Sequence, residues 1–214
     1  MIARKSAILI VLFVCATAAG TEIIVSNTSS WKWLHPTEGI DPAETDEDFH
    51  SSFYLMDFKD SRWTRGTDKP GPHGGFGYGD SDFEGIDIQI PNSTDNRKTA
   101  YFRHKFATDR AYHNLVLHCQ RDDAIIVYVD GKEVVRDNLR ANAKEAYDLF
   151  AEETTSSTDE TKVFAYKIKG SLTPGKHILS ISLHNRGGGS SDLRIAEISL
   201  TGEVGGEVEQ QTKK

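Results

Sequence analysis

Ala124-Ile-Ile-Val-Tyr-Val129, then Asp130-Gly131, then Lys132-Glu-Val-Val-Arg136 is the stretch on which the fold turns. Its first six residues form an almost continuous apolar run, as expected of a central strand. Asp-Gly supplies the positive φ angles a two-residue hairpin needs, so the chain should double back into an antiparallel partner. Working outward, Thr99 to Phe106 alternates, with Phe102 and Phe106 on one face and Tyr101, Arg103 and Lys105 on the other. Leu115, Leu117 and Cys119 share a face of the next segment, and Leu179, Ile181 and Leu183 share one between Lys176 and Asn185, with Ser180, Ser182 and His184 opposite. In the last such segment, Leu193 to Leu200, the apolar positions change phase between Ile195 and Ile198, which predicts a β-bulge. Many short strands with Gly and Pro turns between them predict an all-β antiparallel sandwich. The only helical turns expected lie within Asn142 to Glu153.

The 214 residues suit one domain. Residues 1–20 have the form of a secretory signal: Arg4 and Lys5, an apolar run from Ala7 to Ala16, and small residues with cleavage near Ala18 to Gly20. An apolar run of that length spans about 15 Å of helix, half of a bilayer core, so no membrane insertion is expected. The domain is then expected over 21–202 and a disordered tail over 203–214, and the protein should be exported, extracellular or periplasmic. Loss of Arg4 and Lys5 takes the formal charge from −7 to −9. An exported domain this acidic is a poor candidate for nucleic acid or anionic surfaces. Cleavage also removes Cys15 and leaves Cys119 alone, which excludes an internal disulfide and zinc sites built on cysteine pairs.

No serine-hydrolase elbow, His-Glu-x-x-His or phosphate-loop lysine occurs. Gly75-Phe-Gly-Tyr-Gly79 has no strand–loop–helix context and reads as a loop whose glycines let Phe76 and Tyr78 tuck in. Asp122-Asp123 is the most informative pair. Adjacent carboxylates repel unless solvated, neutralised by a cation or supplied with donors. They could hold calcium or ligand hydroxyls, or else one could accept backbone N–H bonds while the other pairs with Arg121 or Arg103. Arg103, in mid-strand, calls for a carboxylate or offers its fork to a diol or acidic sugar. His184 and Asn185 end a strand, and the Gly-rich turn after them carries Ser190, Ser191 and Asp192, which supply donors and acceptors. Trp31, Trp33 and Trp63 are expected in the core rather than as a sugar platform, and the remaining histidines show no metal-binding spacing. Asn27 and Asn92 head formal glycosylation sequons. Two segments break the strand rhythm, acidic Glu38 to Asp48 and glycine-rich Asp68 to Asp82; loops of that length are functional or mobile.

Trp31-Lys-Trp33, Asp60-Ser-Arg-Trp63, Gly77-Tyr-Gly-Asp80, Tyr101-Phe-Arg103, Asp122-Asp123 leading into Val127-Tyr-Val-Asp-Gly131, Glu133-Val-Val-Arg136, Leu183-His184 and Ser190-Ser-Asp-Leu193 occur in this order. Together they resemble the galactose-binding-domain-like jelly roll found in secreted bacterial proteins and appended to exported phosphoesterases and glycoside hydrolases. The Tyr-Phe-Arg strand and the Val-Tyr-Val-Asp-Gly hairpin are also similar to the sugar-binding domain of family-two glycoside hydrolases. The resemblance implies an eight- or nine-stranded sandwich with a ligand, where there is one, in the loops at one end or on the concave face, and often a structural calcium. Ala124 replaces the usual glycine after the Asp pair, and the first loop, Thr37 to Phe58, is longer than the pattern. The PA14 sugar-binding barrel shares the Asp pair but does not account for the Ser190-Ser-Asp192 end.

The reading that follows is a secreted, non-catalytic binding module for carbohydrate or another polyhydroxylated envelope polymer. Asp122 and Asp123 would hold calcium or hydroxyls, Arg103, His184 and Asn185 would orient them, and Ser190, Ser191 and Asp192 would close the rim. A structural protein of the envelope, with Arg103, Asp122 and Asp123 as an internal ion-pair network, is the alternative, and a small hydrolase using Asp122, Asp123 and His184 is the third.

Overall fold

A computed structural model describes residues 20–36, 39–79, 82–89 and 97–205. The signal segment up to residue 19, the Asn92 sequon and the end of the tail, 206–214, lie outside the described residues. Two six-stranded sheets pack face to face. The strands are β1 (Thr21–Val25), β2 (Ser30–Leu34), β3 (Thr64–Thr67), β4 (Phe76–Tyr78), β5 (Ile86–Asp87), β6 (Thr99–Thr108), β7 (Tyr112–Asp122), β8 (Ala124–Val129), β9 (Lys132–Asp137), β10 (Phe164–Ile168), β11 (Gly175–His184) and β12 (Leu193–Val204). One sheet runs β10-β7-β12-β4-β5, with β1 also on β12, and the other runs β3-β2-β6-β11-β8-β9. That makes twelve strands among the described residues where the resemblance implies eight or nine. The excess includes short pieces such as β3, β4 and β5, too brief to show a period. All pairs are antiparallel except β4 with β5.

The deciding stretch behaves as its sequence requires. β8 pairs with β9 across Asp130 and Gly131, both at positive φ (49° and 80°). β8 lies between β9 and β11 with every residue buried. The β12 bulge is present: pairing with β7 shifts between Ala196 and Ser199, around Glu197 at φ 52°. β12 continues through Glu203 and Val204, paired with β7, so the strand outruns the expected domain end by two residues. Between the sheets lie Trp31, Phe102, Ile125, Val127, Leu179, Ile181 and Leu183 from one side, and Phe76, Leu115, Leu117, Cys119, Leu193, Ile195 and Leu200 from the other. Trp33 packs against this core and Trp63 against a second one. Cys119 is free and buried, and burial pushes its thiol up to about 12.

The second core covers the outer face of the β6–β11–β8 sheet. Tyr101, Ala124, Ile126 and Tyr128 point away from the first core, yet they are buried under Phe49, Phe53, Leu139, Tyr147, Leu149 and Ala151. Their cover comes from two irregular segments. One holds a short 3-10 helix at Pro42–Glu44 and the single α-helical turn α1 (Phe49–Ser52). The other, 138–151, is turns rather than the helix expected there. Among the described residues no helix is long and apolar enough to cross a membrane.

Phe76 and Tyr78 tuck in, as their flanking glycines predict. A β-carbon on Gly77 would lie 2.4 Å from the Leu193 carbonyl oxygen, a backbone atom fixed in the β4–β12 ladder. Gly77→Ala should therefore push β4 off β12 and cost about 1–3 kcal/mol, as overpacking does. Urea denaturation of the variant would check this, and an unchanged midpoint would contradict it.

Candidate functional site

The eight residues singled out in the sequence divide among three places. Asp122, Asp123, Asn185 and the Ser190–Asp192 turn sit at one end of the sandwich. Asp123 is 2% exposed, and its two carboxylate oxygens accept from the backbone N–H of Thr155 (2.8 Å) and of Arg186 (2.7 Å). Arg121 lies against it, donating from Nη1 to the Asp123 carbonyl and the Thr155 hydroxyl, both 2.8 Å, while its Nε and Nη2 hold Asp137 at 2.9 and 2.7 Å. Asp123 thus fastens two loops, one of the two roles open to it in the sequence. Asp122 shares a hydrogen bond with the Asp123 carboxyl, so the two groups face one another rather than opposite sides of the strand. Asn185 donates to the Tyr78 hydroxyl (3.1 Å) and the Arg97 carbonyl (2.9 Å). Ser191 bonds Asp192 at 3.3 Å on the exposed turn, beside the half-buried Ser190.

Hard divalent cations take six to eight oxygen ligands, and here each Asp123 oxygen already accepts from one backbone donor. Among the described residues no group of three or more His, Cys, Asp or Glu side chains is placed to hold a metal.

Arg103 lies elsewhere, on the outer face of its sheet, and it has neither Asp122 nor Asp123 as partner. Its Nε donates to Asp60 Oδ2 at 2.9 Å, and its Nη1 donates to the Phe53 and Leu55 carbonyls. The network expected between Arg103 and the Asp pair is therefore replaced by one with Asp60. That residue stands 43 positions earlier in the chain, in the segment the arginine pins down. Burial works to raise the Asp60 carboxyl, but bonds and charges from Lys32 and Arg103 outweigh it and hold it below the usual range.

His184 is fully buried on that same outer face, two turns of pleat from Arg103 along the β6–β11 pair. Its Nδ1 is 2.8 Å from the Leu149 carbonyl and its Nε2 is 2.8 Å from the Ser182 hydroxyl. Ser182 in turn donates to Glu145 Oε2 at 2.7 Å, and Tyr128 donates to the same oxygen at 3.1 Å. Burial favours the neutral form of Glu145, yet His184, Ser182 and Tyr128 together hold its carboxyl below the ordinary range.

Glu145 leads to the feature that sequence reasoning missed. It lines an open cavity of about 470 Å³ between α1, the β8–β9 hairpin and the 143–145 turn. Tyr54 and Tyr128 stack at one wall, ring centroids 4.1 Å apart and planes within 9°. Glu133 and Arg136 line another wall, joined by two hydrogen bonds of 2.8 and 2.7 Å. Two atoms of lining residues, His50 Nδ1 and Arg136 Nη1, are buried without a hydrogen-bond partner among the described residues, and Glu145 Oε1 lies 3.6 Å from His184 Nε2. None of the eight sequence-selected residues lines it, although His184 orients Glu145 from behind. Tyr128, Glu133 and Arg136 belong to the deciding stretch, but their convergence with His50 and Glu145 has no periodic signal.

No protein-family model matches the chain, and no curated protein matches it significantly. Among solved structures the chain is similar to parts of glycoside hydrolase family 2 proteins. A Bacteroides uniformis β-glucuronidase is 14% identical, with 86% of this chain and 18% of that chain covered at a TM-score of 0.44. A family 2 member from Bacteroides cellulosilyticus is 11% identical over 86% of this chain and 20% of that one, TM-score 0.45. An uncultured Clostridium β-glucuronidase is 12% identical over 91% and 31%, TM-score 0.40. The chain spans between about a fifth and a third of the length of these enzymes.

Burial and the Asp123 charge push the Asp122 carboxyl up to about 8. The folded state therefore keeps a proton that the unfolded chain releases near pH 4. The resulting stabilisation is complete below that value and is lost as pH rises toward 8. Urea denaturation from pH 5 to 8 should show falling stability. Asp122→Asn, which cannot ionise, should flatten that decline by on the order of 2 kcal/mol; an unchanged slope would count against it.

Proposed function

We propose that the chain is an exported, non-catalytic module that binds a carbohydrate or similar polyhydroxylated ligand in the Tyr54–Tyr128 cavity. The observation that carries this reading is an open cavity with a stacked tyrosine pair at one wall and the polar side chains of His50, Glu133, Arg136 and Glu145 around the rest. Hydroxyls on a sugar ring can both donate and accept, which suits a guanidinium, an imidazole and a carboxylate together. The apolar face of such a ring suits an aromatic wall.

The charge states favour binding over hydrolysis. Glycoside cleavage by paired carboxyls needs one held protonated as the acid. Glu145 is held ionised, and Glu133 is spanned by the Arg136 fork. Export remains part of the proposal on the strength of the signal-like residues 1–20, and no metal is required by this cavity.

The test is a glycan array followed by calorimetry on the mature protein, with calcium and with chelator. Affinity should be modest, roughly 10 µM to millimolar, since a small sugar buries few apolar atoms. Tyr54→Ala should weaken binding at least about tenfold, the equivalent of about 1.4 kcal/mol, with the circular dichroism spectrum unchanged and no effect of chelator. Binding that survives in Tyr54→Ala would move the site elsewhere. If no glycan is retained at all, the structural alternative stands, and turnover of chromogenic glycosides lost in Glu145→Gln would make the chain a hydrolase.

A further inference from the structure

The outer face of the second sheet carries a second polar feature on the far side of the Phe53–Asp60 segment. Strand register places Arg65 of β3 opposite Lys32 of β2, and Lys32 opposite Arg103 of β6. Lys105 follows Arg103 two residues along the same strand and so faces the same way. Like charges directly opposite one another across neighbouring strands are unfavourable, yet here three stand in one row with a fourth beside them. They line a narrow cleft of about 110 Å³ together with Ser30 and Asp60.

Asp60 is the cleft's one acidic lining residue, and it is already spent. Its Oδ1 accepts from Lys32 at 2.7 Å and its Oδ2 from Arg103 at 2.9 Å. Asp57 reaches Arg103 only through space. Arg103 is 1% exposed, and its Nη2 has no acceptor among the described residues, although its Nε and Nη1 are fully engaged. Arg65 and Lys105 are exposed and have no ion-pair partner within 4 Å among the described residues. A protein with a formal charge of −7 therefore concentrates four cations around one carboxylate. The acidic total argues against an extended polyanion, whose distant charges would be repelled, but it does not govern a cleft this small.

We propose that this cleft binds a single compact oxyanion, a sulfate, phosphate or carboxylate group, with Arg65, Lys32 and Lys105 contacting it and Arg103 fixing the floor. The volume admits such a group and is well under that of the tyrosine-walled cavity. A guanidinium and two ammonium-bearing side chains lining one cleft are a donor set that oxyanions favour. The same chemistry can come from a free ion or from an acidic substituent on a polymer. The proposal does not rest on the carbohydrate reading.

Amide NMR titration of the mature protein with inorganic sulfate, at ionic strength held constant with chloride, tests it. Saturable shifts confined to Ser30, Lys32, Arg65, Lys105 and their strand neighbours are expected. The double variant Arg65→Gln/Lys105→Gln, altered only at exposed positions, should weaken the interaction at least about tenfold, while Tyr54→Ala should leave it unchanged. Diffuse or non-saturating shifts, or equal titration in the double variant, would overturn the proposal whatever the glycan result. A sulfated oligosaccharide then identifies the source. Tighter binding than inorganic sulfate, with the cleft shifts retained, assigns a polymer-borne group, and cleft shifts with inorganic sulfate alone assign the free ion.

Discussion

Arg103 is the constraint from which the outer half of the molecule is built. A guanidinium buried without partners costs several kcal/mol, and it is tolerated only when its donors are met. Here the Phe53 and Leu55 carbonyls and the Asp60 carboxylate meet most of them. All three acceptors belong to one irregular segment, so satisfying the arginine also fixes where that segment lies. Once it is pinned, Phe49 and Phe53 close over Tyr101 edge to face, at 4.9 and 5.0 Å. Tyr54 then lies flat on Tyr128, and the cavity on one side and the cation cleft on the other become two flanks of the same strap. A central strand or a helix interior could not serve this way, because their carbonyls are already used within their own ladders.

The asymmetry between the two ends of the polar network follows from the same accounting. At the Asp122–Asp123 end the donors and acceptors are largely matched to one another: Asp123 to two backbone amides, Arg121 to Asp137, and Tyr166 also to Asp137 at 2.7 Å. A cluster satisfied internally rigidifies loops, and a ligand would have to break existing bonds to enter it. On the outer face the matching is incomplete: Tyr101, Ser180, Arg103 and His50 each keep a buried polar atom with no hydrogen-bond partner among the described residues. Polar residues in a loop cluster are thus a poor guide to a site unless it is known which of them are already occupied.

This explains what the sequence could reveal and what it could not. Strands, the Asp130-Gly131 hairpin, the β12 bulge and the principal core follow from period-two patterning, which is local and survives without knowledge of the partner. The same patterning presents Ser180, Ser182 and His184 as an open polar face, whereas all three are fully buried. Their cover is made of Phe49, Phe53, Tyr147 and Leu149, which lie in segments with no period and so give no sign of which sheet they face. Arg103 signals its need for a carboxylate, but Asp60 is one acidic residue among many, and only the strap's path selects it. Glu145 sits in a turn that composition suggested was helical, with nothing local to mark its neighbours.

The outer face also shows why a polar stripe beneath a cover need not be a defect. Ser182 and His184 would be costly there as isolated groups, since each leaves donors or acceptors to be met. Linked in sequence, His184 to Ser182 to Glu145, they carry hydrogen-bond donation from the sheet to a carboxylate at the cavity wall. Lowering the carboxyl's proton affinity is the same act as satisfying the histidine, so neither can be removed without exposing the other's cost. A carboxylate kept ionised in this way is a fixed acceptor that cannot lend a proton.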